Sequence, residues 1–463
     1  MLATHPLLSH ATADAVVAYR AGRPIRAREF LRDAAHLAAA LPPGAHVMNV
    51  CADRYRFAVG LAACLLTRKV SLLPPTRTPE VIRQLAAFAP DVLCLTDEED
   101  CDIALPRVRF PPGLAPAVDA EGPWRVPEIG AEQKAAYVFT SGSTGAPVPY
   151  PKTWGRLVRC VRDGAARLGL ADGRSHALLA TVPAQHMYGL ESSVLLGLQS
   201  GGALCAERPF YPADILSELE ALPRPRTLVS TPLHLRALLA SAQEAPPADL
   251  ILSATAPLSL ELARETEQRF RAPLIEIYGS TESGQLATRR TAREREWRLW
   301  PGVCLTLEDE RAWARGGHLE QPTPMCDELE PLDAERFLLH GRLADLVNIA
   351  GKRSSLSYLT HQLNSIPGVE DGVFFFPEEP HPSEAGVARV AAAVVAPGLD
   401  AVRLTEALRQ RIDPVFLPRP LVFLERLPRN GTGKLPREAL RSLAAACSAW
   451  PGTAATSGRR IGS

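Results

Sequence analysis

Short apolar runs alternate regularly with longer stretches of helical spacing, and this rhythm narrows the possible folds more than any other feature of the chain. Residues 46–51 read as a strand, 54–67 as a helix, 70–73 as a strand, 79–88 as a helix and 92–96 as a strand. Further strands are expected at 137–139, 177–181, 227–230, 250–253 and 274–278, with helices such as 233–242 and 260–270 between them. Strands regularly separated by helices favour parallel sheets with helices packed on their faces. Residues 97–130, acidic and then rich in Pro and Gly, read as a connector. A shorter unit follows Gly341 and Arg342, with strands expected at 372–376, 387–395 and 421–424 and a helix at 404–412. The expectation is an α/β protein. Its N-terminal body, residues 1–342, holds parallel-rich sheets flanked by helices; a small, mobile C-terminal α+β lobe, 343–463, frays from about residue 442.

Composition removes several classes of function. The 463 residues carry 51 basic and 51 acidic side chains, and a formal charge of zero argues against a general nucleic-acid binder. Hydrophobic content of 46% and charged content of 22% are those of an ordinary globular chain. The longest apolar runs, such as 390–395, stop well short of the roughly 18 residues that suggest a membrane span. Residues 1–17 lack a basic start followed by an apolar block, so no secretory signal is expected. The nine Cys form no CxxC pair and no zinc-type spacing, and read as reduced thiols. A cytoplasmic protein without a membrane span is the expectation. Lys stands at only five positions, 69, 134, 152, 352 and 434, and Arg supplies the rest of the basic residues. A lysine in so arginine-biased a chain is a candidate for chemistry that a planar guanidinium does badly.

Four segments carry chemistry. In the first, a strand feeds Thr140-Ser141-Gly142-Ser143-Thr144-Gly145, whose glycines permit close backbone approach and whose hydroxyls add donors, a combination suited to a phosphate chain. It is not the Walker type, which needs GxxxxGK[ST]. Taken alone, it could equally be a surface turn. The second is Tyr278-Gly279-Ser280-Thr281-Glu282, where Glu282 offers a hard oxygen ligand for Mg²⁺ on a polyphosphate and Tyr278 a ring to stack on a base. A polar strand end with a solvated Glu is its bland reading. The third runs from His340-Gly341-Arg342 to Gly351-Lys352-Arg353. The fourth, Pro428 to Lys434, is a Gly-rich turn able to project one ammonium.

In this order the four segments resemble the adenylate-forming (ANL) ligase superfamily, which includes acyl- and aryl-CoA synthetases, peptide-synthetase adenylation domains and luciferases. The resemblance spans the chain from about residue 28 to Lys434. It implies that Thr140, Ser141, Gly142, Ser143, Thr144 and Gly145 wrap the ATP phosphates. Tyr278 would stack on adenine, Thr281 contact phosphate and Glu282 hold Mg²⁺. Asp327, fourteen residues before Gly341, takes the ribose position, although Met325-Cys326 replace the usual Thr-Gly before it. Arg342 and Arg353 match basic residues near the ribose and phosphates, and Lys434 matches the lysine that bridges the attacking carboxylate and the α-phosphate. His186 matches the residue that borders the acid and gates the thiol tunnel, with a structural imidazole as its bland reading. Gly189, Ala254, Ala256 and Gly279 are candidates for the wall of the acid slot. No covalent protein nucleophile is required.

Three departures stand out. Pro147 is followed by Val-Pro-Tyr-Pro, where the family places Lys directly, and Lys152 comes later. Ala344 occupies the position of the usual hinge acid, with Asp345 after it. The stretch between Glu282 and Asp327 is short, leaving little of the family's strand-rich subdomain. The loop form TSGSTGxPxPxxK resembles ligases of aryl-polyene and xanthomonadin-type pigment pathways. That branch implies a hydroxybenzoate-like aryl acid loaded on a phosphopantetheinyl acyl carrier protein, with CoA as the other acceptor. The alternatives are a medium-chain or short acyl-CoA synthetase and a non-catalytic nucleotide- or acyl-binding homologue; nothing supports a luciferase-like oxidation.

Overall fold

The computed structural model describes residues 3–74, 77–111, 124–141, 147–309, 311–342, 346–349, 352–376 and 390–430, with a few more between 435 and 445. Most helices start where a hydroxyl or carboxylate can satisfy an orphan N–H. Asp53 caps the helix Arg54–Leu66, Thr78 caps Pro79–Phe88, Thr153 caps Trp154–Arg167, Thr231 caps Pro232–Ala240 and Ser259 caps Leu260–Phe270. Three of these five match the expected bounds to within one residue, because the cap is visible in sequence.

The expected parallel sheet is the middle of an eleven-stranded one. Val16–Arg20, Ala203–Cys205, Ala177–Ala180, Arg226–Ser230, Leu250–Ser253 and Leu274–Ser280 lie side by side, all parallel. Their inner strands are buried along their whole length, as strands covered on both faces must be. After Leu274–Ser280 the direction reverses through Gly284–Arg289, Trp297–Leu299, Arg336–Arg342 and Asp327–Pro331, all antiparallel. A six-stranded sheet stands beside it, ordered Pro147–Thr153, Lys134–Ser141, Val70–Leu73, His46–Asn49, Leu93–Thr96 and Arg107–Arg109.

Two expectations are corrected. The stretch between Glu282 and Asp327 is short but not poor in strands. It holds Gly284–Arg289, Trp297–Leu299, Val303–Glu308, Arg311–Gly316 and Thr323–Pro324. These are short strands of mixed composition joined by turns, several with glycine at positive φ, and they lack the long apolar runs that announce a strand in sequence. Residues 97–130 likewise contain two short strands, Arg107–Arg109 and Glu128–Gly130. The eight cysteines among the described residues are all unpaired. No described helix is long and apolar enough to cross a membrane.

The two large sheets share one hydrophobic core, to which Phe30, Phe57, Leu73, Leu178, Leu195 and Leu204 all belong. The helix Arg54–Leu66 lies inside it and is buried nearly all round, so it carries no polar stripe. Arg54 opens this helix with a fully buried guanidinium. It donates to the Ser193 hydroxyl at 2.6 Å and to the carbonyls of Ala180 and Val182 at 2.8 and 2.9 Å, tying the helix to the end of a central strand. Arg54→Met keeps the apolar stem and orphans two buried carbonyls. It is expected to cost about 2–4 kcal/mol in chemical denaturation; an unchanged midpoint would contradict the tie.

Candidate active site

In open sheets with parallel strands, ligands bind beyond the carboxyl ends of the strands. Here those ends are lined by small and hydroxyl-bearing residues: Thr181, Ser230, Ser253 and Ser280 follow or close four neighbouring strands. The Thr181 and Ser230 hydroxyls lie 3.1 Å apart. Ala254, Thr255 and Ala256 follow directly after Ser253. Thr255 has φ +80°, a region that a β-branched residue enters only at a cost of about 1–3 kcal/mol, and such strain gathers at ligand sites.

Several residues expected to serve one nucleotide converge at this rim. The Tyr278 hydroxyl donates to the Asp327 carboxylate at 2.6 Å. Asp327 is the register partner of Arg342 across the antiparallel pair, so the acid and the GR motif meet. Tyr278 is 8% exposed, its ring tilted against Trp297 and Phe337 with centroids 5.6 Å away. One turn onward, Thr281 and Glu282 are half-buried. Burial, and then the Glu282 charge, pushes the pKa of the Tyr150 phenol up. Thr140 and Ser141 close the strand Lys134–Ser141 at this point.

Gly142, Ser143, Thr144, Gly145, Ala344, Asp345 and Lys434 lie outside the described residues. Arg342 and Arg353 are described as backbone only, Arg353 pairing with Asn348 in a small hairpin. His186 is half-buried at the N-cap of the short helix Met187–Gly189. Ala254 is buried and Ala256 half-buried.

Gly189 and Gly279 have a reason for being glycine besides an acid slot. A Cβ on Gly189 would stand 1.9 Å from the Pro183 carbonyl oxygen, and one on Gly279 would stand 2.3 Å from that of Gly284. Both are backbone contacts that cannot swing away.

Beneath the turn 280–285 lies a buried polar cluster that the motifs did not announce. The Lys152 side chain is 0% exposed, and its Nζ donates to the carbonyls of Thr281 and, at 3.2 Å, Glu282. Arg156, near the start of the next helix, donates to the Glu282 carbonyl too. His318, also fully buried, faces the Ser283 carbonyl through Nε2 at 3.0 Å. The Cys160 thiol reaches the Glu191 carboxylate at 3.1 Å and the Gln285 carbonyl at 3.7 Å. Burial, then the Arg156 charge, draws the Lys152 ammonium down to about 7, against the pull of Glu191. Burial pushes the Glu191 carboxyl up, against its thiol donor and the two cations. The signal for Tyr150 and Lys152 was present in sequence: prolines at 147, 149 and 151 mark an edge strand by their spacing of two.

A cavity of about 500 Å³ lies elsewhere, lined by Asp53, Glu207, Arg208, Asp214 and Glu218, and contains none of these side chains.

A sheet whose strand ends gather a carboxylate-bound tyrosine, a row of hydroxyl-bearing residues and an acidic turn has the makings of a nucleotide site. The chain belongs to the AMP-binding enzyme family, whose profile matches residues 9–336. It is 30% identical over 243 residues to 4-coumarate–CoA ligase of Rhodobacter capsulatus, covering 52% of this chain and 60% of that protein. A protein of the same name from Halorhodospira halophila is 29% identical over 308 residues, covering 64% and 73%. The first match thus spans less than two thirds of its relative. Among solved structures, o-succinylbenzoate CoA synthetase of Bacillus subtilis with its acyl-adenylate intermediate superposes with a TM-score of 0.79 at 18% identity, covering 95% and 99%. ATP-bound MatB of Rhodopseudomonas palustris gives 0.77 at 19%, covering 94% and 97%. At these identities the likeness is one of fold, and it extends through the α/β architecture expected from the sequence.

Two outcomes follow from this geometry. Gly189→Ala should destabilise by about 1–3 kcal/mol or more through backbone collision, whereas Gly130→Ala, with open space at its Cβ, should leave the thermal midpoint nearly unchanged. Burial lowers His318 from 6.5 to about 4, so the native state stays neutral while the unfolded chain takes a proton. Stability is therefore lost as pH falls from about 6.5 toward 4, by up to about 3 kcal/mol. His318→Gln should remove that part of the acid sensitivity in melts taken across the window; parallel curves for the two proteins would refute it.

Proposed function

We propose that the protein activates a carboxylic acid with ATP and passes the acyl group to a thiol. The observation that carries this reading is the convergence of Tyr278, Asp327, Thr281 and Glu282 at one strand-end rim, in a chain of the AMP-binding family. A carboxylate is a poor acyl donor because its leaving group would be oxide. Attack of its oxygen on the α-phosphorus breaks the bond to pyrophosphate and gives an acyl-AMP. Thiol sulfur then attacks the acyl carbon, AMP departs with the electron pair, and the thiol proton is lost to solvent.

The residues divide this work. Asp327 accepts the ribose hydroxyls while Tyr278 fixes its carboxylate. On this reading Thr140 to Gly145 would donate to the phosphates, and Lys434 would supply the cation for the two anions that must meet. The Glu282 carboxylate, half-buried at the turn, is a hard oxygen donor of the kind Mg²⁺ takes. Bound there, the ion would neutralise charge on the departing pyrophosphate. The division at residues 342 and 343 belongs to the same reading. In its support, Leu359, Phe374, Val394 and Leu404 form a hydrophobic cluster separate from the other cores.

We read the acid as an aryl acid of hydroxybenzoate type. The names of relatives support an aromatic substrate: besides the 4-coumarate ligases they include 4-chlorobenzoate–CoA ligase of an Arthrobacter species and indoleacetate–CoA ligase of Aromatoleum aromaticum. The same names support CoA as the thiol, while the carrier protein rests on the loop form alone.

ATP–pyrophosphate exchange across aromatic and aliphatic acids tests the reading; hydroxybenzoates are expected to lead, and silence with every acid would sink it. Lys434→Ala should lower exchange by about 100-fold or more with ATP binding largely kept; normal exchange would remove its role. Transfer to CoA and to a phosphopantetheinylated carrier, run side by side, decides the acceptor.

A further inference from the structure

The turn from Ser280 to Gln285 presents both Thr281 and Glu282, and its carbonyls point into the protein. A buried carbonyl without a partner costs about 1–3 kcal/mol, so the turn needs donors from elsewhere. Four side chains from three elements supply them, in chain order. Lys152 takes Thr281 and Glu282, Arg156 takes Glu282 again, His318 takes Ser283, and Cys160 takes Gln285. The turn also closes on itself, with Ser280 and Ser283 exchanging hydrogen bonds between hydroxyl and backbone N–H at 3.1 Å. Gly284 completes it at φ +75°, where a Cβ would come within 2.9 Å of Glu191 Oε1.

The segment that delivers the cations follows from its spelling. Prolines at 147, 149 and 151 leave the even positions of the edge strand to pair with Lys134–Ser141. Strand alternation then turns Tyr150 and Lys152 to the same face. That face meets the turn through Lys152, which holds the carbonyls of Thr281 and Glu282. A register break between Lys152 and Thr153 ends the strand. Thr153 then caps the helix that carries Arg156 and Cys160. Glu191, fully buried at the start of a π-helical turn, is the countercharge.

We propose that Lys152 and Arg156 are positioning residues for Thr281 and Glu282: the proline-spaced strand and the helix after it hold the metal- and phosphate-facing turn by its backbone. The proposal rests on the acid-activating reading above. It gives Lys152 a task on the turn's backbone, without reaching the ATP phosphates.

A positioning role and a merely structural one part in the experiment. Lys152→Met keeps the stem and removes a buried ammonium. Hydrogen exchange of the amides at 282–285 should quicken about tenfold or more, with those of Leu274–Ile277 unchanged. The kcat of ATP–pyrophosphate exchange, measured well below the melting temperature, should fall about 100-fold while the KM for the acid moves little. Arg156→Lys should recover most of what Arg156→Met loses. A Lys152→Met protein with native exchange at 282–285 and native kcat overturns the proposal, as does a loss of kcat that follows the melting temperature alone. Should Lys152→Met not fold, the Arg156 pair gives the same decision. A wild-type protein silent with every acid would defeat the acid-activating reading, yet the hydrogen-exchange comparison would still decide whether the cations hold the turn.

Discussion

Three successive carbonyl oxygens, of Thr281, Glu282 and Ser283, face the interior where no strand can pair them. Much of the surroundings of the candidate site follows from that constraint. Donors had to come from buried side chains, and ammonium, guanidinium and imidazole groups provide them. Two neighbouring cations in turn require a countercharge, which Glu191 supplies, and Glu191 is itself steadied by the Cys160 thiol. An acidic residue in a π-helical segment and a cysteine with its pKa well above the usual range thus belong to one electrostatic problem.

The same logic explains why the lysine is not where the family pattern puts it. A side chain that works through carbonyls must arrive from below the turn, not from the phosphate side. An edge strand followed by a capped helix gives two points of attack on one peptide unit. Arginine in place of Lys152 would bring a wide planar head into a site with no solvent, where a compact ammonium already lies against two oxygens.

Large parts of the architecture were legible in the chain. The strand Leu250–Ser253 and the helices Pro79–Phe88 and Leu260–Phe270 coincide with their expected bounds, because apolar period and cap chemistry agree there. The family spacing from Asp327 to Gly341 was readable in the chain; that Asp327 pairs in register with Arg342 and accepts from the Tyr278 hydroxyl is seen only in the fold. What was not legible depends on long-range assembly. His318 and Cys160 carry no local pattern, and each joins the turn only after sheets distant in sequence have closed around it. The strands between 283 and 326 escaped notice because they are short and carry few consecutive apolar residues, even where, as in Gly284–Arg289, they are buried. Gly189 and Gly279 show the converse: small residues that suggested a slot also answer to backbone crowding.

The proline spacing of the edge strand has an effect beyond the site. Residues 147, 149 and 151 would direct their amides outward from the six-stranded sheet, and proline has none. The sheet therefore offers a visiting strand acceptors along that border but no matching donors. One margin of the molecule is thus closed to the strand-by-strand addition through which exposed edges seed aggregates.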